Sequence, residues 1–521
     1  MIPSAAPSSV PSVILLWAGY GAMCLGMFMA ILDIQIVITS LPVIQDALGI
    51  GADRMSWVQT AYLIAEVIAI PLTGLLTRAL SMRRLFVGAI AIFTLASIGC
   101  AFSFGFGSLI LWRILQGFAG GVLIPLVFSA IFLLFERGFQ QTLATTMGGV
   151  LAVMAPVLGP ITGGWITEHY SWQWLFLINV VPGIATLALG FACLPREAVR
   201  FSLFKHLDWT SLALIAAGLA ALEIGLKEAP DRGWTSAVVL GLFAIFAVAG
   251  YLAVRRPAPV IDFALLGDRN LAYGCALSFI LGAGLFGSVY LMPVFLAFVR
   301  SHGPIDIGLV ILVTGIAQLV TAPIAVQLDR RCGARLLSVV GFACFALGLA
   351  LSGFQTRATD YDEMFWPQVV RGSFVALCIL PPIRFALGYL PLERVSDASG
   401  LFNLSRNLGG AIGIALIDTI LFTRGPEHAD RLTELIKTDP TSAATALGIG
   451  MDELPDPGDP TGVLAIMDAI EETSLAMAVN EAWLILSGIT MLGLVLLWVM
   501  GPIRGSLPPL PDKRRTGGGS R

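Results

Sequence analysis

The stretch LILWRILQGFAGGVLIPLVFSAIFLLF, residues 109–135, carries one charge, Arg113, in twenty-seven residues. A helix of about 20 apolar residues spans a hydrocarbon core about 30 Å thick. Soluble cores break into shorter apolar runs of roughly 4–14 residues. This block therefore reads as a membrane-spanning helix, and blocks of the same kind recur along the chain. We read fourteen: 13–39, 57–77, 85–104, 109–135, 143–166, 174–194, 207–226, 236–254, 273–299, 305–328, 335–354, 364–387, 400–422 and 480–501. Each must be helical, because lipid offers no partner to a free backbone N–H or C=O.

Composition agrees. The chain is 57% hydrophobic and 12% charged, with a mean hydropathy of +0.85. Soluble domains are about 25% charged, so too little polar surface remains to cover a water-soluble globule. The net charge of -3 and the lack of a basic tract give no footing for nucleic acid. The seven cysteines have no Cys-x-x-Cys spacing and nearly all sit in apolar blocks, while His169, His206, His302 and His428 are scattered in loops. Neither a disulfide framework nor a metal site is expected, and nothing points to a cofactor. The first apolar block is too long for a signal-peptide core and lacks a cleavage pattern, so it is expected to stay as the first span.

Lys and Arg in the loops set the orientation. One set of loops, with Arg78, Arg83, Arg84, Arg196, Arg255, Arg335 and the C-terminal tail, outnumbers the other roughly two to one. Both termini fall on the rich side, as an even number of spans requires, and are expected to be cytoplasmic. The expected divisions are a cytoplasmic N-terminus 1–12, a six-helix half 13–195, two extra helices with linkers 196–269, a second six-helix half 270–501 with an outer loop 424–479, and a cytoplasmic tail 502–521. The loop is acidic and rich in Pro and Gly, with short amphipathic stretches near 432–436 and 464–470. A faint duplication supports two halves. Arg113 in the fourth span is echoed by Arg371 in the twelfth, and the basic hairpin 78–84 by 330–335. Paired halves around a central site are a recurrent transporter plan.

Chemistry should sit on polar groups inside apolar spans. Asp33 is one, and a charge at mid-membrane costs about 2.5–3.5 kcal/mol on insertion scales. It either gains and loses a proton as access changes or is a structural carboxylate paired with a neighbour. Glu66 in the second span handles protons, binds a cationic solute, or only bonds a neighbouring helix. Glu223, close to a loop, is a weaker candidate. Arg113 needs a partner, and Asp33 is the obvious one. Such a pair is a switch, if protonation of Asp33 frees Arg113, or a static brace. Arg371 and Arg406 are the cations of the second half, lining a cavity or bracing helices. In the fifth span Pro156 and Pro160 bend the helix, while Gly149, Gly159, Gly163 and Gly164 allow close packing.

These segments resemble the major facilitator superfamily, specifically the fourteen-span drug:proton antiporters of the EmrB/QacA type, over nearly the whole chain. Leu32-Asp33-x-x-Ile36-Val37 through Leu41-Pro42 is similar to that family's first-span pattern. Leu109-x-x-x-Arg113-x-x-Gln116-Gly117-x-x-Gly120-Gly121 resembles motif B, whose arginine is linked to proton coupling. Ala155-Pro156-x-x-Gly159-Pro160-x-x-Gly163-Gly164 is similar to motif C, which marks antiporters. Trp172-x-Trp174-x-Phe176-x-x-Asn179-x-x-Pro182-Gly183 and Phe402-Asn403-x-x-Arg406-x-x-Gly409-Gly410-x-x-Gly413 follow in family order. Motif A departs: Gly74 leads to Arg78, Arg83 and Arg84 with no acidic residue, which puts the charge contacts of the cytoplasmic gate in doubt. Gln35 stands where the family has Thr.

The resemblance implies an all-α major facilitator fold of two six-helix halves plus two extra helices between them. It implies export of small hydrophobic or amphipathic substrates, driven by proton entry, from a bacterial inner membrane. It assigns proton coupling to Asp33, Arg113 and Glu66, places Gln35, Asn403, Arg406 and Arg371 at the substrate cavity, and puts Gly74, Arg78, Arg83 and Arg84 at the cytoplasmic gate. Pumps of this type work with a periplasmic adaptor and an outer-membrane channel, partners that one sequence does not decide. An exporter of one physiological solute (a siderophore, metabolite or lipid) is the alternative on the same scaffold. A membrane-embedded enzyme would need clustered His, Asp or Glu at one membrane face, and a channel would need repeated pore-lining motifs. The sequence has neither.

Overall fold

Each apolar block has to close its backbone hydrogen bonds within itself, and each does so as a helix. The computed structural model describes residues 13–38, 40–49, 57–136, 138–197, 200, 202, 208–256, 262–451, 454–455 and 465–500, and no strand occurs among them. The expected terminal segments 1–12 and 502–521 lie outside the described residues. The first half comprises α1 (Val13–Ile38), α2 (Leu41–Leu48), α3 (Trp57–Ala69), α4 (Thr73–Leu80), α5 (Met82–Ala101), α6 (Phe106–Leu134), α7 (Phe139–His169), α8 (Trp174–Leu177) and α9 (Val180–Cys193). Two further helices follow, α10 (Trp209–Arg232) and α11 (Ala237–Val254). The second half comprises α12 (Arg269–Phe298), α13 (Pro304–Arg331), α14 (Ala334–Leu351), α15 (Tyr361–Leu387), α16 (Leu392–Thr438), α17 (Pro440–Leu447) and α18 (Met467–Met500).

By length and composition, thirteen candidate spans pass directly, and α7 makes a fourteenth when its two bent parts count as one. Its parts, Phe139–Pro156 and Ile161–His169, differ in direction by 45°. Proline removes a backbone donor and crowds the preceding turn, which accounts for a bend here. Pro156 is buried, and the side chain of Pro160 lies outside the described residues. Proline acts again in the second span, where Pro71 sits in a 3-10 turn, Ile70–Leu72, joining α3 to α4.

Within the first half α1 packs on α6, α7 and α9, and α3 on α6; within the second, α12 packs on α16 and α18, and α15 on α13 and α14. The halves meet where α7 lies on α13 and α15 and where α4 and α6 lie on α16. Between them is a small recess, with room for about one water molecule, lined by Thr146, Gly149, Val150, Gln318, Ala376, Ile379 and Leu380. The extra helices α10 and α11 pack on each other, and α10 also reaches α3 and α16. Val238, Leu240, Ile245, Val248 and Leu252 of α11 are exposed, the apolar surface a lipid-facing helix presents.

The segment 424–479 differs from its reading as a Pro- and Gly-rich loop. α16 runs unbroken for 47 residues to Thr438, and α18 starts at Met467. Leu432, Ile436, Ala443, Leu447 and Ile470 close a small core of their own. The amphipathic stretches are therefore continuations of the spans. Pro457, Gly458 and Pro460, which coloured the composition, lie outside the described residues. At the same end, Asp360 caps α15 in a capping box with Glu363 and accepts from Arg300 Nη2 at 2.8 Å. That hydrogen bond holds the Asp360 carboxyl below the usual carboxylate range.

Candidate functional site

Among the described residues, the first half buries one ion pair inside the bilayer-length helices. Asp33 on α1 and Arg113 on α6 are both fully buried, with Arg113 Nη1 donating to Asp33 Oδ2 at 2.5 Å. Such a pair persists only if its remaining lone pairs and protons are also satisfied. Gln116 Nε2 donates to Asp33 Oδ1 at 2.9 Å, and Asn179 Nδ2 donates to the same oxygen at 2.7 Å. Gln116 also accepts from Arg113 Nη1 at 2.8 Å and donates to Ser97 Oγ at 2.9 Å. Arg113 Nε donates to the Val58 carbonyl at 3.0 Å, and its guanidinium lies 4.4 Å from the centre of the Tyr62 ring. The Tyr62 hydroxyl in turn donates to the Ala30 carbonyl at 3.0 Å. Arg113 Nη2 has no hydrogen-bond partner among the described residues. The carboxylate thus holds three donors from three side chains, two on Oδ1 and one on Oδ2, and a proton arriving at Oδ2 removes the charge that holds Arg113.

Two glycines let this network form. A Cβ on Gly117 would collide with the Tyr62 backbone, and one on Gly121 with the Glu66 backbone. The four-residue spacing on α6 matches the four-residue spacing on α3, so the two backbones meet at both points. Gly121→Val is expected to lower the midpoint of thermal unfolding in detergent, by the equivalent of about 1–3 kcal/mol of overpacking. Gly88→Ala, where a Cβ meets nothing within 4 Å, is expected to leave it unchanged.

Glu66 stands apart from that network. It is 3% exposed, and its Oε1 accepts from Asn407 Nδ2 of α16 at 3.4 Å, so its contact crosses between the halves. Beside it on α16, Arg406 Nη2 donates to Asn403 Oδ1 at 2.7 Å and its guanidinium lies 5.5 Å from the centre of the Phe128 ring. Gln35 is half-buried and lies against Gly159 of α7; Gly163 and Gly164 are buried on the same helix. Arg371 is buried in the second half, remote in contact from the other three candidates. Of the sequence candidates, then, Asp33 joins Arg113, Glu66 joins the Asn403–Asn407 turn, and Arg371 joins neither.

The gate residues also separate. Arg78 Nη1 donates to Asp397 Oδ2 of α16, an ion pair between the halves. Gly74 lies against the backbone of Asp397, where a Cβ would not fit, and Ser399 Oγ donates to the Pro125 carbonyl at 3.0 Å alongside. Arg83 instead turns to its own half, where it donates to the Phe191 carbonyl and lies over the Phe191 ring, and Arg84 is exposed. The acid absent from the basic hairpin is supplied by the opposite half as Asp397.

Gln116, Asn179, Ser97 and Asp397 complete these sites and did not stand out as site residues. Gln116 and Asn179 lie in quoted motifs, and a carboxamide inside an apolar span is itself the signal. Asp397 gave none, because nothing local ties it to Arg78.

The family model of the Major Facilitator Superfamily matches residues 23–414. The chain belongs to that superfamily. It is accordingly a multi-pass membrane transporter and not an enzyme. Among its relatives, the colistin resistance protein EmrB of Acinetobacter baumannii is 38% identical, over 80% of this chain and 82% of that one. The multidrug export protein EmrB of Escherichia coli is 29% identical, over 93% of this chain and 95% of that one. The human organic anion transporter TETRAN has the same fold, with a TM-score of 0.60 at 14% identity over 92% of this chain and 99% of that one. The superfamily fold accounts for the two halves.

Proposed function

We propose that the protein exports hydrophobic or amphipathic compounds by alternating access of its two halves, driven by protons entering at Asp33. The observation that carries this reading is the fully buried Asp33–Arg113 pair, held by Gln116 and Asn179. It is an ionisable group in an apolar bundle, the usual mark of a proton or ion path. The printed names of the relatives, colistin resistance and multidrug export, support drug-like substrates. In the resting arrangement Asp33 is ionised and bonded to Arg113. Proton arrival neutralises it, Arg113 is released to seek another acceptor, and the halves rock about the α7–α13 and α4–α16 contacts. Glu66, which bridges to Asn407, senses that motion and receives either a second proton or a cationic solute. The protein sits in a bacterial inner membrane with both termini in the cytoplasm, as the loop arginines favour. A periplasmic adaptor and outer-membrane channel extend the path.

Protein reconstituted in liposomes with an internal pH dye tests the reading. With a proton gradient imposed, lipophilic cations, weak acids and uncouplers are added in turn. Compound-dependent proton movement is expected. Compound movement without any proton response would replace antiport by uniport.

A further inference from the structure

The second half buries a cation that the Asp33–Arg113 pair does not explain. Arg371 on α15 is 3% exposed, and its Nη2 donates to Thr314 Oγ1 of α13 at 3.2 Å. Its Nε and Nη1 have no partner among the described residues, and no Asp or Glu there pairs with it. Gln368, one turn earlier on α15 and fully buried, accepts from Thr314 Oγ1 at 3.0 Å and leaves its Nε2 unpartnered. The guanidinium lies 5.1 Å from the centre of the Trp483 ring of α18, and the buried indole Nε1 of Trp483 is unpartnered as well. Four unpartnered donor nitrogens thus belong to one cluster around a permanent positive charge.

Arginine does not lose its proton inside a protein, and a buried charge without a counter-charge is strongly unfavourable. In the first half the equivalent arginine has Asp33. A single water molecule accepts about two hydrogen bonds, whereas a carboxylate offers about four lone-pair sites and a halide accepts from all sides. We propose that Arg371, Gln368, Thr314 and Trp483 form a binding site for a monovalent anionic group, either a halide ion or the carboxylate of an amphiphilic solute. Gln318, one turn beyond Thr314 on α13, lines the small recess between the halves together with Ala376 and Ile379 of α15. Its buried Oε1 is unpartnered among the described residues.

The test reads binding and is independent of export. Full-length protein in detergent is melted in sodium sulfate, whose dianion is neither a halide nor a carboxylate, with sodium chloride or sodium octanoate added in increasing amounts at constant ionic strength. The wild type is expected to show a saturable rise of about 2 °C or more at tenfold excess over Kd. The rise should vanish in Arg371→Gln and fall in Trp483→Phe, which keeps an aromatic side chain but loses the indole N–H, so a folding defect in the first variant leaves the second as the reporter. A response to both salts, or to chloride alone, assigns an inorganic anion site; a response to octanoate alone assigns a carboxylate site. No rise with either salt, or an equal rise in wild type and Trp483→Phe, overturns the proposal.

Discussion

Asp33→Asn is expected to abolish compound-driven proton movement in liposomes while leaving a folded, less stable protein. Each proton crossing 100 mV supplies about 2.3 kcal/mol, enough to sustain roughly a fifty-fold substrate gradient at 1.4 kcal/mol per tenfold. With no titratable group at residue 33 that gradient is expected to collapse to about unity, and transport to become downhill only. The stability loss has a separate origin. Asparagine keeps one oxygen for the amides of Gln116 and Asn179 but turns an amide nitrogen or a neutral oxygen towards the Arg113 guanidinium. Breaking one side of a buried pair costs about 3–5 kcal/mol, because a charge is left uncompensated. Removing both charges in Asp33→Asn with Arg113→Gln is therefore expected to recover much of the melting temperature and none of the coupling. Wild-type pH dependence of export in Asp33→Asn would falsify the coupling assignment.

Exchanging the gate charges is expected to have the second large effect. Arg78→Asp alone faces a carboxylate with Asp397, and Asp397→Arg alone faces Arg78 with a guanidinium. The pair is partly exposed, and pairs of this kind contribute about 0–1 kcal/mol to stability, so neither single change should unfold the protein. The states of an alternating carrier differ by only a few kcal/mol, however. A repulsion of about 1.4 kcal/mol shifts their ratio tenfold, which should cut the transport rate by a similar factor. Spin labels at the exposed residues Arg84 and Leu392 should report wider separation in each single variant. The double exchange, Arg78→Asp with Asp397→Arg, should restore both rate and distance. Full activity in all three variants would make the contact incidental.

The spans and the paired arginines were legible because membrane insertion leaves a strong mark on sequence: a charge in an apolar block is costly and demands a partner. That argument was enough to join Asp33 to Arg113 across 80 positions. It could not find Asn179, which is 146 positions from Asp33, nor Asp397, which is 319 from Arg78. A neutral amide in a span carries a weaker penalty, and an acid near a loop carries almost none, so neither announces what the fold will set beside it. The loss of the acidic residue in the hairpin was visible; its replacement from the other half was not. Composition failed over 424–479 for a different reason. The helical stretches there are apolar only on the faces that pack on one another, and a few prolines and glycines outweighed them in the average.

The 47 residues of α16 amount to about 70 Å of helix at 1.5 Å per residue, more than twice the hydrocarbon thickness of about 30 Å. One continuous helix therefore runs from the Asp397 contact past Asn403 and Asn407 and on through Pro426 to Thr438, longer than the hydrocarbon is thick. With no loop along its length, a tilt of the second half inside the bilayer is carried to its far end and magnified there as a displacement. The protein has in effect a pointer: the state of a site closed off in the membrane can be read, or taken hold of, from the water outside.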